Sequence, residues 1–169
     1  VMLTLSEALQ ENIYGDVSGV QRKALHRIQK SGRHLLALIN DILDVSKIES
    51  GKLDLELGPT SVQALCEDCM QMVQEAASAK QLALQTVLDP TISIITADGR
   101  RLMQVLLNLL NNAIKFTPEG GTVELSVMGD TDKETVTFAV CDSGIGIAQE
   151  DLPRLFRPFV QLDSRLARR

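Results

Sequence analysis

The fold of this chain is decided by the stretch Arg101-Leu-Met-Gln-Val-Leu-Leu-Asn-Leu-Leu-Asn-Asn-Ala-Ile-Lys-Phe-Thr117. At about 100° of rotation per residue, a helix over this stretch gathers its polar side chains on one narrow stripe. The rest of its surface is apolar, which predicts a buried helix. Because buried amides need hydrogen-bond partners, the stripe predicts a bound ligand; the alternative is that the amides bond neighbouring backbone. The stripe comprises Arg101, Gln104, Asn108, Asn111, Asn112 and Lys115.

Composition limits the classes of protein to which the chain can belong. Its 169 residues are 44% hydrophobic and 23% charged, which is typical of a soluble globular protein. The formal net charge of -5 argues against a nucleic-acid-binding surface. No apolar run approaches the roughly 20 residues that cross a bilayer. Cys66 and Cys69 have no second Cys or His pair nearby to complete a zinc site, so we expect packing cysteines.

The first 51 residues have helical periodicity. A short helical pattern at residues 3–13 precedes a long one at 21–50, in which apolar residues recur at alternating three- and four-residue spacing. This pattern predicts a helical hairpin, and two chains that each contribute two helices would form a four-helix bundle.

Beyond Gly51 the pattern alternates between strands and helices. It predicts strands at 53–57, 82–88, 92–96, 122–128 and 135–140, helices at 61–80 and 98–116, and a short helical turn at 150–155. The expected fold class is α+β: an N-terminal helical hairpin (1–51) followed by a two-layer α/β sandwich with a mixed sheet (52–169), incomplete at the C-terminus.

A glycine-containing loop, Asp142-Ser-Gly-Ile-Gly146, directly follows the last predicted strand. The strand end holds the carboxylate in place, and the glycines allow backbone to approach a ligand closely. A fixed carboxylate can accept a hydrogen bond from an exocyclic amine, which distinguishes adenine from guanine. The alternative is an aspartate that caps its own turn.

Three motifs in this order resemble the ATP-binding domain of sensor histidine kinases. They are Asn108-x-x-x-Asn112-Ala-Ile-Lys-Phe-Thr, Asp142-x-Gly-x-Gly and Phe156-Arg-Pro-Phe159, similar to the N box, first glycine box and F box of that family. Residues 31–52 look like the second helix of the family's dimerisation hairpin. The resemblance covers nearly the whole chain and implies the cofactors ATP and Mg²⁺.

The resemblance implies a role for each matching polar residue. Asn112 would ligate Mg²⁺ through its amide oxygen, a hard ligand of the kind Mg²⁺ prefers. Asn108 and Lys115 would contact phosphates, and Asp142 would bind the adenine amino group.

The glycines and apolar residues also receive implied roles. Gly144 and Gly146 would let the loop close over the nucleotide, while Phe116 and Ile147 line the base. Phe156 and Phe159 would anchor a mobile lid, with plain packing as the alternative.

The residue type at position 108 distinguishes hydrolysis of the nucleotide from phosphoryl transfer to a protein side chain. Related gyrase-type ATPases have a glutamate there that activates water, and an amide cannot accept that proton. Transfer to a protein side chain is therefore expected. In the family the acceptor is a histidine on the first hairpin helix, whereas His26 and His34 lie in the second-helix region. We therefore assign no catalytic residue and expect this segment alone to be inactive.

The resemblance implies a protein-histidine kinase that supplies a response-regulator aspartate in two-component signalling. The expected partners are a second copy, bound through the hairpin, and a response-regulator receiver domain, with no nucleic acid. A cytoplasmic location is expected, with membrane attachment only through parts outside this chain. We expect a fragment truncated at both ends that lacks the second glycine box; the alternative is a non-catalytic dimerising or nucleotide-sensing module.

Overall fold

A computed structural model describes residues 1–51, 54–130 and 132–155 of the chain. The chain divides into two compact units, Val1–Leu55 and Glu56–Arg169. The predicted lid anchors Phe156 and Phe159 lie outside the described residues. Within the described part, no helix combines the length and the apolar character needed to cross a membrane.

The first unit is a helical hairpin, as the sequence predicts. Helix α1 (Met2–Gln10) packs against helix α2 (Gly19–Glu49). Ser18 begins α2 with a capping box, because its hydroxyl accepts from the Gln21 N–H while the Gln21 side chain accepts from the Ser18 N–H. Gly32 allows the helices to approach closely, since a Cβ there would lie 2.8 Å from Leu3 Cδ2.

An apolar face runs along α2 and is exposed in the single chain. Ile28, Leu35, Ile39 and Ile42 follow one another at spacings of seven, four and three residues, and each is 45–56% exposed. We call these four residues the apolar face of α2. Exposed apolar side chains in one continuous row usually mark a protein interface.

The second unit has the predicted order of elements, β-α-β-β-α-β-β. The elements are β1 (Gly58–Ser61), α3 (Val62–Ser78), β2 (Ala83–Leu88), β3 (Ile94–Ala97), α4 (Gly99–Phe116), β4 (Thr122–Asp130) and β5 (Thr135–Asp142), followed by a 3₁₀ turn at Leu152–Arg154. The predicted turn at 150–155 therefore contains a 3₁₀ helix.

The main sheet has three strands in the order β2-β4-β5. Strand β2 is parallel to β4, and β4 is antiparallel to β5, so the sheet is mixed as predicted. Strands β1 and β3 form a separate antiparallel pair. Helices α3 and α4 pack on the sheet, and their buried side chains form one core with β4, including Val73, Leu106, Leu110, Val123, Leu125 and Val127. The predicted α+β class is confirmed.

Cys66 and Cys69 belong to this core. Both side chains lie on α3, are fully buried and are free thiols. Burial, together with smaller contributions from the neighbouring Cys69 and Glu67, raises the pKa of the Cys66 thiol to about 11. The thiolate that would bind metal or attack a disulfide is therefore disfavoured, consistent with packing cysteines.

The predicted strand at 53–57 is wrong. Residues 54–57 have no strand structure, and the first strand is Gly58–Ser61. Its partner β3 has only four residues, which pair from Gly58 opposite Ala97 to Ser61 opposite Ile94. Among residues 1–51, 54–130 and 132–155, no strand lies opposite Leu55 and Leu57, which are 53% and 63% exposed. Period-two alternation forms a strand only where a partner strand is present.

The prediction that the amide stripe of α4 is buried is also wrong. Asn108, Asn111, Asn112 and Lys115 are exposed. Because the fold has only two layers, α4 buries the one side that faces α3 and the sheet. The apolar Val105 on the opposite side is 53% exposed.

Candidate functional site

The start of α4 is held by Asp98, its N-cap residue. One carboxylate oxygen accepts from the Arg101 N–H at 3.0 Å, and the other accepts from the Glu56 N–H at 3.2 Å. The bond from Arg101 is the largest cause of a lowered pKa for Asp98; partial desolvation opposes it, and the Glu56 bond and the charges of Arg100 and Arg101 add to it. Asp98 thereby joins the segment before β1 to the helix that carries the predicted site.

The predicted phosphate and metal ligands lie on the solvent side of α4. Counting about 100° per residue, Asn108 and Asn112 are on the side opposite the buried Leu106 and Leu110. Within the described residues, neither amide has a hydrogen-bond partner. Their oxygen and nitrogen atoms are therefore available to a ligand.

The end of α4 has bonds to all its last carbonyls. The Thr117 N–H and hydroxyl both donate to Ala113 O, at 2.9 and 2.7 Å. Lys80 Nζ donates to Ile114 O and Lys115 O at 2.8 Å each, and to Thr117 O at 3.1 Å. A helix leaves its last four carbonyls without intrahelical partners, so these bonds fix the helix end.

Asp142 is the last residue of β5, and its side chain is exposed. One carboxylate oxygen accepts from the Gly144 N–H at 2.8 Å, which is the turn-capping bond that the sequence left as an alternative. The second oxygen has no hydrogen bond to any described residue. One carboxylate can therefore cap its turn and still accept a hydrogen bond from a ligand.

The glycine loop lies directly against the end of α4. A Cβ on Gly144 would lie 2.5 Å from Asp142 Oδ1 and 2.9 Å from Phe116 O, so only glycine fits. The Ile145 N–H donates to Phe116 O at 3.4 Å, and Gly146 has φ +67°, which favours glycine. The structure thus brings Asp142, Gly144 and Phe116 together.

Apolar surface surrounds this junction. Phe116 is 41% exposed, Ile147 is 50% exposed, and Lys115 Nζ lies 4.9 Å from the centroid of the Phe116 ring. Such rings and aliphatic side chains suit the flat, apolar faces of a base.

A hollow of about 210 Å³ lies beside Asp142. Its remaining lining residues are Gln85, Thr122, Glu124, Cys141 and Ser143, and Asn108 and Asn112 are not among them. Gln85, Glu124 and Cys141 occupy one register row across the sheet. This hollow therefore belongs to the sheet surface next to Asp142, apart from the amides of α4.

Sequence reasoning missed three residues that build the junction. Lys80 is 34 residues from the first carbonyl that it contacts, and no local pattern reveals such a pairing. Ser143 Oγ accepts from the Thr122 N–H at 2.9 Å and ties the loop to β4. A Cβ on Gly121 would collide with Thr117 Cγ2, so this residue lets the turn after α4 pack closely on the helix end.

Two family models match the chain. Residues 97–169 match the histidine kinase-, DNA gyrase B-, and HSP90-like ATPases, and residues 1–51 match the His Kinase A (phospho-acceptor) domain. The chain belongs to the sensor histidine kinases. Its helical hairpin and mixed-sheet unit are the parts of a histidine kinase transmitter region.

Two relatives illustrate the similarity. The chain is 43% identical over 166 residues to the non-motile and phage-resistance protein of Caulobacter vibrioides, covering 96% of this chain and 20% of that protein. It is 40% identical over 169 residues to the circadian input-output histidine kinase CikA of Synechococcus elongatus, covering 99% of this chain and 22% of that protein. The chain spans about a fifth of the length of these two relatives.

A solved structure shares the fold. The crystal structure of full-length ShkA in complex with AMPPNP superimposes with a TM-score of 0.77 at 30% identity, covering 95% of this chain and 36% of that one. This chain therefore shares its fold with part of a protein whose structure was solved in complex with AMPPNP.

Proposed function

We propose that this chain is the transmitter core of a kinase that binds Mg-ATP and transfers its γ-phosphoryl group to a histidine. Residues 52–169 are the ATP-binding domain, and residues 1–51 are the dimerisation hairpin. The observation that carries the proposal is the junction of Asp142, Gly144 and Phe116 at the end of the helix that bears Asn108 and Asn112.

Adenine recognition falls to Asp142. Its second carboxylate oxygen has no hydrogen bond to a described residue, and the Gly144 N–H holds the first. An oxygen fixed in this way accepts from the 6-amino group of adenine and repels the carbonyl oxygen at the same position of guanine. Phe116, Ile147, Gly144 and Gly146 line the base and let the loop close over it.

Residues on the solvent side of α4 would bind the phosphates and the metal ion. The exposed amides of Asn108 and Asn112 and the ammonium of Lys115 have the chemistry required by a magnesium triphosphate. The Asn112 amide oxygen would ligate Mg²⁺, and Asn108 and Lys115 would contact phosphate oxygens. Mg²⁺ supplies neutralisation of charge on the phosphates when it is bound.

The reaction is phosphoryl transfer to protein rather than hydrolysis, because the Asn108 amide cannot take a proton from water. No residue of this chain is assigned as the acceptor: His26 and His34 both lie on α2, the second hairpin helix. The phosphoryl group then passes to an aspartate of a response-regulator receiver domain. The proposed location is the cytoplasm, where ATP is supplied.

The test replaces Asp142 by Asn. The amide oxygen of Asp142→Asn can still accept from the Gly144 N–H, but its nitrogen presents a donor where adenine also presents a donor. Calorimetric titration with ATP and magnesium should show affinity weakened by about tenfold to a hundredfold, the range for a lost hydrogen bond to a charged group.

Asp132→Asn is the matched control, because it removes the same charge at an exposed position in the turn between β4 and β5. It should bind ATP as the wild-type chain does. Equal affinity of the wild-type chain and Asp142→Asn for ATP, or equal affinity of the wild-type chain for ATP and GTP, would remove Asp142 from the adenine role. No binding of Mg-ATP by the wild-type chain contradicts the proposed function itself.

A further inference from the structure

Lys80 forms a three-way contact at the end of α4. It follows α3 in the turn before β2, and its side chain is partly buried. Its ammonium donates to the carbonyls of Ile114, Lys115 and Thr117 at 2.8, 2.8 and 3.1 Å. An ammonium has three donors, and here each has an acceptor.

The contact is also favourable electrostatically. The C-terminal carbonyls of a helix carry partial negative charge, which a cation placed among them neutralises. A main-chain hydrogen bond adds to this contact, because the Gly120 N–H donates to Lys80 O at 3.1 Å. The α3–β2 turn and the α4–β4 turn are thereby joined by a side chain and by main chain.

The glycine loop contacts the same end of α4 that Lys80 binds. Phe116 O lies between the carbonyls that Lys80 binds, and it accepts from the Ile145 N–H. Thus the carbonyls of residues 114–117 are all engaged, three by Lys80 and one by the loop. A shift of the end of α4 therefore also moves the Phe116 main chain, against which Gly144 packs.

We propose that Lys80 is a positioning residue of the nucleotide site: its ammonium sets the end of α4, and through Phe116 O the glycine loop, at the separation that the nucleotide requires. This inference rests on the proposed function. Lys80 need not touch the nucleotide, since it acts through the helix end that carries Asn112 and Lys115.

The test compares Lys80→Gln with Lys133→Gln. Lys80→Gln keeps two N–H donors and removes the charge, and Lys133→Gln removes the same charge from an exposed ion pair with Asp130. Two quantities are measured on the whole chain well below its melting temperature: the exchange rate of the Ile145 amide proton by NMR, and the affinity for Mg-ATP.

In Lys80→Gln the Ile145 amide should exchange about tenfold faster without a matching rise at core amides of β4, and Mg-ATP affinity should fall about tenfold. Lys133→Gln should change neither quantity. Lys80→Met, which removes all donors, should have the larger effect on both if it folds.

The outcomes separate the two proposals. If the wild-type chain and Lys80→Gln bind Mg-ATP equally well, the role of Lys80 is overturned and the proposed function stands. Faster exchange spread evenly over the core would show that Lys80 contributes only to global stability, and would also overturn the inference. Failure of the wild-type chain to bind Mg-ATP overturns both.

Discussion

Gly144 lies where the glycine loop meets the end of α4, and the space beside its Cα is bounded by two oxygen atoms. One belongs to the Asp142 carboxylate and the other to the Phe116 main chain. Main-chain oxygen cannot move aside as a flexible side chain can. The absence of a Cβ at residue 144 is therefore what lets the loop touch the helix.

At this scale we predict the effect of Gly144→Ala. The added methyl forces the loop away from Phe116 O, which should cost about 1–3 kcal/mol in the free energy of unfolding, as overpacking does elsewhere. Mg-ATP affinity should fall by about tenfold or more, because displacement of positioned groups is costly. Denaturant unfolding and calorimetric titration measure the two effects.

Gly58→Ala is the matched control for this prediction. A Cβ on Gly58 meets no atom within 4 Å, and its backbone lies outside the left-handed region. Its unfolding free energy should stay within about 0.5 kcal/mol of the wild-type value. Normal ATP binding by Gly144→Ala would show that the loop tolerates separation from the helix.

At the scale of elements, α4 is secured at both ends by residues outside its own helical turns. Asp98 caps the first turn and also accepts from the Glu56 N–H, and Lys80 binds the last carbonyls. Within the described residues, the exposed amides of Asn108, Asn111 and Asn112 between these ends form no side-chain hydrogen bond. The element is thus positioned by its ends and by its buried side, and its solvent side carries the proposed phosphate and metal ligands.

We predict that Asp98→Ala lowers the melting temperature by about 5 °C, the size expected for a lost N-cap in a domain of this length. Asp98→Asn should lower it less, because asparagine also caps helices. Thermal unfolding followed by circular dichroism measures both variants.

The cap also predicts a pH dependence. Hydrogen bonds from Arg101 and Glu56 lower the pKa of Asp98 below its ordinary value of 3.8. A lowered folded-state pKa gives stability that is present above pH 3.8 and is lost as the pH falls through the folded-state value. The stability advantage of the wild-type chain over Asp98→Asn should therefore shrink in acid. An advantage that stays constant from pH 6 to pH 2 would contradict this assignment.

At the scale of the whole molecule, the apolar face of α2 remains exposed in one chain. Ile28, Leu35, Ile39 and Ile42 form a row along a 31-residue helix, and about half of each residue's surface is exposed. Burial of each such side chain contributes about 1.5–3 kcal/mol. A second copy offers the same row, and two hairpins would make the four-helix bundle that the proposed function requires.

We predict that Ile39→Glu converts the chain from dimer to monomer. The glutamate would place a charge on the apolar face of α2, where dimerisation would bury it without a partner. Light scattering should therefore report a molar mass of twice 18.5 kDa for the wild-type chain and 18.5 kDa for the variant. Lys30→Glu, on the opposite side of α2, is the control and should remain dimeric. A wild-type chain that is monomeric at high micromolar concentration would refute dimerisation through this hairpin.

Some of this architecture was determined by local sequence. Helical spacing, the Ser18, Ser61 and Asp98 caps and the period-two strands after Leu82 each depend on neighbours within a few residues. The order of elements from α3 onward was therefore predictable, whereas the first strand lies at Gly58–Ser61 and not at the predicted 53–57. Local sequence likewise determined Gly146, whose φ of +67° arises in its own turn. The requirement for glycine at residue 144 comes in addition from Phe116 O, which is distant in sequence.

Only the tertiary structure decided which sides of these elements are buried and what meets across the fold. Residues 54–57 alternate as a strand should but have no partner strand in the part of the chain that the structure describes. The amides of α4 face solvent because a two-layer sandwich covers one side of the helix. Lys80 reaches the end of α4 across 34 residues of sequence. Burial and long-range hydrogen bonds depend on how all the elements pack together, and the periodicity of one segment does not determine that packing.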